Sequence, residues 1–469
     1  MLFTTIPFWA SFIAFLLIYA LLRKSTRTGM MIYVVLSSLL FFYLANGWLM
    51  LLLPATGIAS YYITLWMSRT NGTGRKFLLF TTVAINLAPL LYYKYTNFSI
   101  ELFNQILHTN FSPLTIALPI GISFYTFQAI SYSTDIYRKR FTTRVSPLEY
   151  LFYISFFPLL LAGPITRAGH FFPQLRNRQP VSQRLLHLGL WLIITGLIKK
   201  AVIADYIAQY NNWIFDSPET YSGLENLMGV IGYTVQIHCD FSGYSDISIG
   251  LAAMMGIRLR DNFRFPYQAI NLAEFWHRWH ISLSTWFRDY LYIPLGGNRH
   301  GRLLTYFNNL LTMTVAGLWH GSTLMFVFWG AIHGLGLVIY KSLKQFLDHI
   351  PNTLPVRIVS WMLTFTFVAI AWIYFRSPDV ATCGTILERI TTDFDLAYLI
   401  PFVKARPAWT IMVFGALLIH SLRERTATRL QTRFILMPWI LKLIIFTAAI
   451  QLVIEFHTSN VQPFIYYQF

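Results

Sequence analysis

The 469-residue sequence is 55% hydrophobic, 17% aromatic and only 12% charged, with a net charge of +17. A soluble globular chain carries about 25% charged residues, so a soluble domain is excluded, and no series of short alternating segments points to a transmembrane barrel. The composition implies an all-α polytopic membrane protein. Its surplus of Lys and Arg reads as positive-inside bias rather than a nucleic-acid surface, because the basic residues collect in particular loops.

The first apolar run, residues 3–22, is followed by Arg23, Lys24 and Arg27. It is too long for a signal-peptide core and lacks a preceding basic region, so it is expected to span, with the N-terminus outside. Basic clusters at residues 69–76, 138–144, 167–184, 258–302, 341–357 and 423–433 mark further inside segments. Residues 97–112 and 201–257 contain no Lys or Arg and mark outside ones. Connecting them gives about 11–12 crossings with both termini outside.

Residues 150–165 lie between two basic loops and are expected to form a re-entrant segment broken by Pro164. Asp240 and Asp246, in an apolar stretch, are expected to brace helices. Cys239 and Cys383, the two cysteines, support neither a disulfide framework nor a thiolate metal site and read as packing residues.

Residues 258–302 mix seven arginines with Phe263, Phe265, Phe275, Trp276, Trp279, Trp286 and Phe287. That mixture suits short amphipathic helices at the inner interface. It is an interfacial anchor, or a cationic, aromatic floor for a phosphorylated, purine-bearing cofactor. Arg288 and Asp289 are expected to pair. With no internal repeat and no linker, residues 1–469 read as one membrane domain.

The chemistry centres on histidine. His320 lies in an apolar stretch, residues 303–340, where an ionisable imidazole is costly and marks a candidate site. His277 and His280, three apart, would share a helical face. Apart from His320 and His333 in neighbouring apolar segments, the other histidines are scattered and no HxxHH box exists, so no metal is expected. As a general base, His320 could take a hydroxyl proton and return it. His280 could orient a partner group or donate to a carbonyl oxygen. No Gly-x-Ser-x-Gly elbow is present.

Six ordered motifs then carry a resemblance over nearly the whole chain: PIGISFYTFQAISY (119–132), FFPLLLAGPITR (156–167), DFSGYSDISIGLA (240–252), NFRFPY (262–267), FWHRWHISLSTWFRDYLYIPLGG (275–297) and LWHG (318–321). Together they resemble the membrane-bound O-acyltransferase (MBOAT) family, most closely its bacterial polysaccharide-acetylating branch. The resemblance implies a ring of helices around a thin centre, with re-entrant and interfacial helices and a cytoplasmic funnel for the acyl donor. It implies that His320 is the catalytic histidine and His280 the second functional one.

By the same resemblance the donor is acetyl-CoA. Arg278, Arg288, Trp279 and Trp319 are the candidate cofactor-binding residues, although the sequence does not select those arginines over Arg260 or Arg264. The terminal FIYYQF (464–469), within a tail (457–469) expected outside, resembles an acyl-relay motif and points to Tyr466 as the residue that receives the acyl group. The expected function is O-acetylation of an extracytoplasmic polysaccharide (alginate, cellulose or a similar exopolysaccharide) from the bacterial inner membrane, through a periplasmic partner acetyltransferase. A D-alanyl or peptidoglycan O-acyltransferase, and a transporter with a central histidine, are the alternatives.

Overall fold

The computed structural model of the chain describes residues 3, 5–160, 163–177 and 180–456, and among them every regular element is a helix. In chain order these are α1 (Ile6–Ser25), α2 (Arg27–Asn46), α3 (Leu52–Arg69), α4 (Gly72–Leu90), α5 (Thr96–Leu107), α6 (Ile122–Tyr137), α7 (Pro147–Ser155), α8 (Phe157–Leu160), α9 (Ala168–Arg176), α10 (Gln183–Leu197) and α11 (Asp205–Asp216). There follow α12 (Gly223–Met254), α13 (Leu272–Arg278), α14 (Ile281–Phe287), α15 (Arg302–His320), α16 (Leu324–Leu347), α17 (Leu354–Arg376), α18 (Val380–Thr392), α19 (Leu399–Ala405), α20 (Pro407–His420), α21 (Glu424–Leu436) and α22 (Trp439–Glu455).

Six stretches are long and apolar enough to cross a bilayer, or up to eight if the bent pairs Leu396–Ala405 with Pro407–His420 and Glu424–Leu436 with Trp439–Glu455 each count as one. The loop-based expectation was higher, and length explains part of the difference. Three of the stretches run to 43, 36 and 34 residues, where one crossing takes about 20. Helix α12 falls outside the six; it carries Glu225, Asp240 and Asp246. Where the sequence reads as one domain, the contacts group the described residues into two compact units, one within 1–190 and 247–260, the other within 191–246 and 261–469.

In the first unit the expected re-entrant segment is a broken, buried helix. Pro147 opens α7 behind Ser146, and a capping box closes its start: Glu149 N–H donates to Ser146 Oγ at 3.2 Å, and Ser146 N–H to Glu149 Oε2 at 2.8 Å. The helix stops at Ser155, Phe156 leaves helical geometry, and α8 begins at Phe157. The break thus precedes Pro158 rather than falling at Pro164. An unbroken helix would drive the Pro158 ring into the carbonyl of residue 154 and lose that hydrogen bond. Pro164 lies beyond, outside any helix. Backbone freed at the break finds internal partners, as an apolar setting requires: Phe157 N–H donates to Ser38 Oγ, Tyr153 Oη–H to Thr166 O at 2.6 Å, and Ser248 Oγ–H to Pro158 O.

Two guanidiniums lock the start of α7. Arg176 grips Glu149 bidentately, Nε at 2.8 Å and Nη2 at 3.0 Å, and Arg27 pairs with the same carboxylate. Burial alone would raise the Glu149 pKa, but hydrogen bonds from Arg176, Ser146 and Arg27 lower it from the ordinary 4.5 to about 2. A depressed carboxylate contributes stability that is present above its ordinary pKa and lost as pH falls through the folded value. Glu149→Gln is therefore expected to cost about 2 kcal/mol at pH 7 and progressively less as pH drops from about 4.5 toward 2. Thermal unfolding in detergent across that range checks it; a constant difference between the two proteins would refute the linkage.

In the second unit, Asp240 and Asp246 brace α12 as expected. Lys200, 1% exposed, sits in a π-helical turn (Ile198–Ala204) and pairs with Asp240 and, at 2.7 Å, with Asp205. Lys199 pairs with Asp246 at 2.7 Å. Charges taken out of water must be paired in this way. Cys239 and Cys383 are buried thiols, as the packing reading expects.

Candidate active site

The site is built on two supports within the second unit. The first is the hairpin of α15 and α16, whose backbones touch through glycine. A Cβ on Gly317 would lie 2.2 Å from Phe326 O, and one on Gly330 would lie 2.4 Å from Met313 O. At the hairpin's bend a Cβ on Gly321 would fall 2.0 Å from the Phe326 ring. The LWHG motif is thus spatially explained: glycine after His320 lets α15 end and Phe326 close over the turn. His320, the last residue of α15, is 2% exposed and held among Trp319, Trp329 and Phe375, with ring centroids at 5.0, 5.0 and 5.4 Å.

The second support is the chain from Asn262 to α14. Helix α13 starts at Asn271, whose Oδ1 accepts the Glu274 N–H, and ends at Arg278; α14 starts after His280. Between them His280 takes a left-handed backbone (φ 42°, ψ 55°), a strained conformation for a side chain of this size. This corrects the helical spacing read between His277 and His280. The break puts His277 on the surface while His280 is fully buried.

Asn262 holds His280 in place. Its backbone carbonyl accepts the Ile281 N–H at 2.9 Å, and its Oδ1 accepts the Ser282 N–H at 3.1 Å. Its Nδ2 meets Ser245 Oγ at 3.1 Å, and the same Oδ1 lies 3.2 Å from His280 Nδ1. Because Oδ1 already serves as an acceptor, His280 Nδ1 must be the donor, which leaves Nε2 of the neutral ring with a lone pair. Nε2 is buried and has no hydrogen-bond partner among the described residues. Neutral His280 can therefore accept from a hydroxyl but cannot donate to a carbonyl oxygen. The two imidazoles meet across one indole: Trp319 lies 6.1 Å from the His280 ring and 5.0 Å from that of His320.

The candidate cofactor-binding residues divide. Trp279 and Trp319 are 1% and 4% exposed, interior residues rather than a floor; Trp279 stacks on Phe275 at 5.6 Å and packs on Trp372 at 5.0 Å. Arg278 and Arg288 reach the surface, each engaged by a carboxylate: Glu274 at 2.6 Å and, as expected, Asp289 at 2.8 Å. The segment carrying them is the run of short helices that its composition predicts. Tyr466 and the rest of the tail lie outside the described residues. No group of three or more His, Cys, Asp or Glu that could hold a metal ion occurs among the described residues. Sequence reading missed Asn262 and Trp329. NFRFPY was visible as a motif, but nothing in it announced a contact with a histidine 18 positions away.

Comparison with known proteins agrees with this architecture. Residues 38–377 match the family described as MBOAT, membrane-bound O-acyltransferase family. The chain is 35% identical over 385 residues to the peptidoglycan O-acetyltransferase of Helicobacter pylori, covering 76% of this chain and 73% of that one. It is 39% identical over 349 residues to the probable alginate O-acetylase AlgI of Pseudomonas aeruginosa, covering 73% and 63% respectively, so it spans less than two thirds of that relative. To the teichoic acid D-alanyltransferase of Bacillus subtilis it is 26% identical over 270 residues, covering 55% and 68%. The chain, a multi-pass membrane protein, belongs to the membrane-bound O-acyltransferase family.

Proposed function

We propose that this acyltransferase takes an acetyl group from cytoplasmic acetyl-CoA and passes it across the bacterial inner membrane for O-acetylation of an extracytoplasmic polysaccharide. The observation that carries the chemistry is the pair of buried imidazoles meeting across Trp319, one with its tautomer set by Asn262. In the reaction a hydroxyl oxygen bonds to the thioester carbonyl carbon while His320 takes its proton. The C–S bond then breaks, and the proton passes to the leaving sulfur, giving an ester and CoA. His280, through Nε2, orients the hydroxyl. No metal is needed for these steps.

Tyr466 is the hydroxyl of this reading, with both termini periplasmic and a periplasmic or membrane-anchored partner acetyltransferase carrying the acetyl group onward. Alginate, cellulose and similar polymers are all chemically suitable acceptors. The resemblance to a peptidoglycan O-acetyltransferase over 73% of its length supports peptidoglycan as a second acceptor. The test uses the purified protein in nanodiscs with acetyl-labelled acetyl-CoA. CoA release with label on the C-terminal peptide, the label lost in Tyr466→Phe, is the expected result. Release without protein-bound label would reject the tyrosine intermediate. Absence of release, with label taken instead from a D-alanyl carrier thioester, would replace the donor.

A further inference from the structure

Acyl transfer leaves one buried imidazole of the second unit without a task. His333, one turn beyond Trp329 on α16, is fully buried. Its ring lies 5.1 Å from Trp276, 4.8 Å from Trp329 and 5.6 Å from Phe367, and stacks on Phe275 at 6.1 Å. Neither ring nitrogen of His333 has a hydrogen-bond partner among the described residues, and neither does the indole Nε1 of Trp276 or Trp329. Trp276 and Trp329 are themselves 5.8 Å apart. Four polar nitrogens in three mutually packed rings are therefore buried without protein partners.

Each such atom has given up its hydrogen bonds to water without replacement, and hydrocarbon offers no relief. Phenylalanine would fill the same space without that cost. The chemistry of the unsatisfied set identifies what would cancel it. A neutral imidazole presents one donor and one acceptor, and the two indoles add two donors. A secondary amide is the complement: its N–H meets the imidazole lone pair and its carbonyl oxygen meets an indole N–H. An anion would leave the acceptor nitrogen unmet, and an acyl chain would satisfy none of the four. Trp329 also packs on His320 at 5.0 Å, which puts such an amide beside the reacting centre. Trp276 is only partly buried and offers the side of approach.

We propose that His333, with the indoles of Trp276 and Trp329, is a secondary-amide site that holds the pantetheine arm of the thioester donor. The proposal rests on the acetyl-CoA reading for the identity of that arm. Its test compares acetyl-CoA with an amide-free thioester, phenyl thioacetate, in the nanodisc-embedded full chain. His333→Phe is expected to lower the ratio of the two kcat/KM values, acetyl-CoA over phenyl thioacetate, by about 10- to 100-fold. His333→Gln, whose amide restores a donor and an acceptor, should recover most of it. Equal losses on both donors would overturn the site and make His333 a packing residue.

A titration of intrinsic tryptophan fluorescence with free pantetheine separates this proposal from the donor reading. Saturable binding that His333→Phe abolishes supports the site even if acetyl-CoA proves not to be the donor; no binding to the wild type overturns it. If His333→Phe does not fold, Trp276→Phe, which removes one indole N–H at a less buried position, takes its place in both experiments.

Discussion

His320→Ala and His320→Gln are expected to lower single-turnover CoA release by about a thousandfold while leaving protein abundance near that of the wild type. A positioned base contributes about 10²- to 10⁴-fold. His280 is anchored through Nδ1 to Asn262, and the Trp319 indole packs on both imidazoles. Glutamine is the sharper variant. It keeps polarity and most of the volume among Trp319, Trp329 and Phe375 but cannot take up a proton at working pH. The backbone around it is held independently by the glycine contacts of α15 and α16. Monodisperse protein with activity lost is the expected outcome. Activity retained in His320→Gln would remove the base from the mechanism, and degradation of both variants would make His320 a structural residue.

Much of this was legible in the sequence because bilayer physics is severe. The charge share fixed the class, the lone histidine of LWHG stood out against an apolar stretch, and Asp240 and Asp246 could only be tolerated if paired, as Lys200 and Lys199 show. The failures share one cause, which is that local periodicity does not report chain breaks. His277 and His280 look like neighbours on one helical face until α13 ends at Arg278 and His280 turns left-handed. A break within residues 150–165 was expected, yet it lies ahead of Pro158, because a proline acts on the turn before it. The aromatic floor imagined for residues 258–302 is partly interior: Trp279 packs on Trp372, a residue 93 positions later that no local pattern could have paired with it. Asn262 escaped notice for the same reason, since a hydrogen-bond anchor has no sequence signature until the fold brings its partner near.

That anchor makes the second strong prediction. Asn262→Leu is expected to reduce the rate of acetyl transfer by about 100-fold, by analogy with the loss when the orienting partner of a metal-ligating histidine is removed. The leucine leaves the Ser282 N–H and His280 Nδ1–H without their shared acceptor, frees the imidazole to adopt either tautomer and loosens a backbone already held at φ 42°. Loss of activity alone would not separate positioning from folding, so Asn262→Asp carries the discrimination. The carboxylate keeps both acceptor bonds, gives up the donor to Ser245, and places a negative charge beside Nδ1. An anion there favours the imidazolium, so the low-pH limb of the rate profile should move to higher pH. Activity should exceed that of Asn262→Leu at alkaline pH, where His280 is again neutral. A profile for Asn262→Asp that falls uniformly at every pH, parallel to wild type, would show that Asn262 only supports the turn and that the protonation state of His280 does not enter the rate.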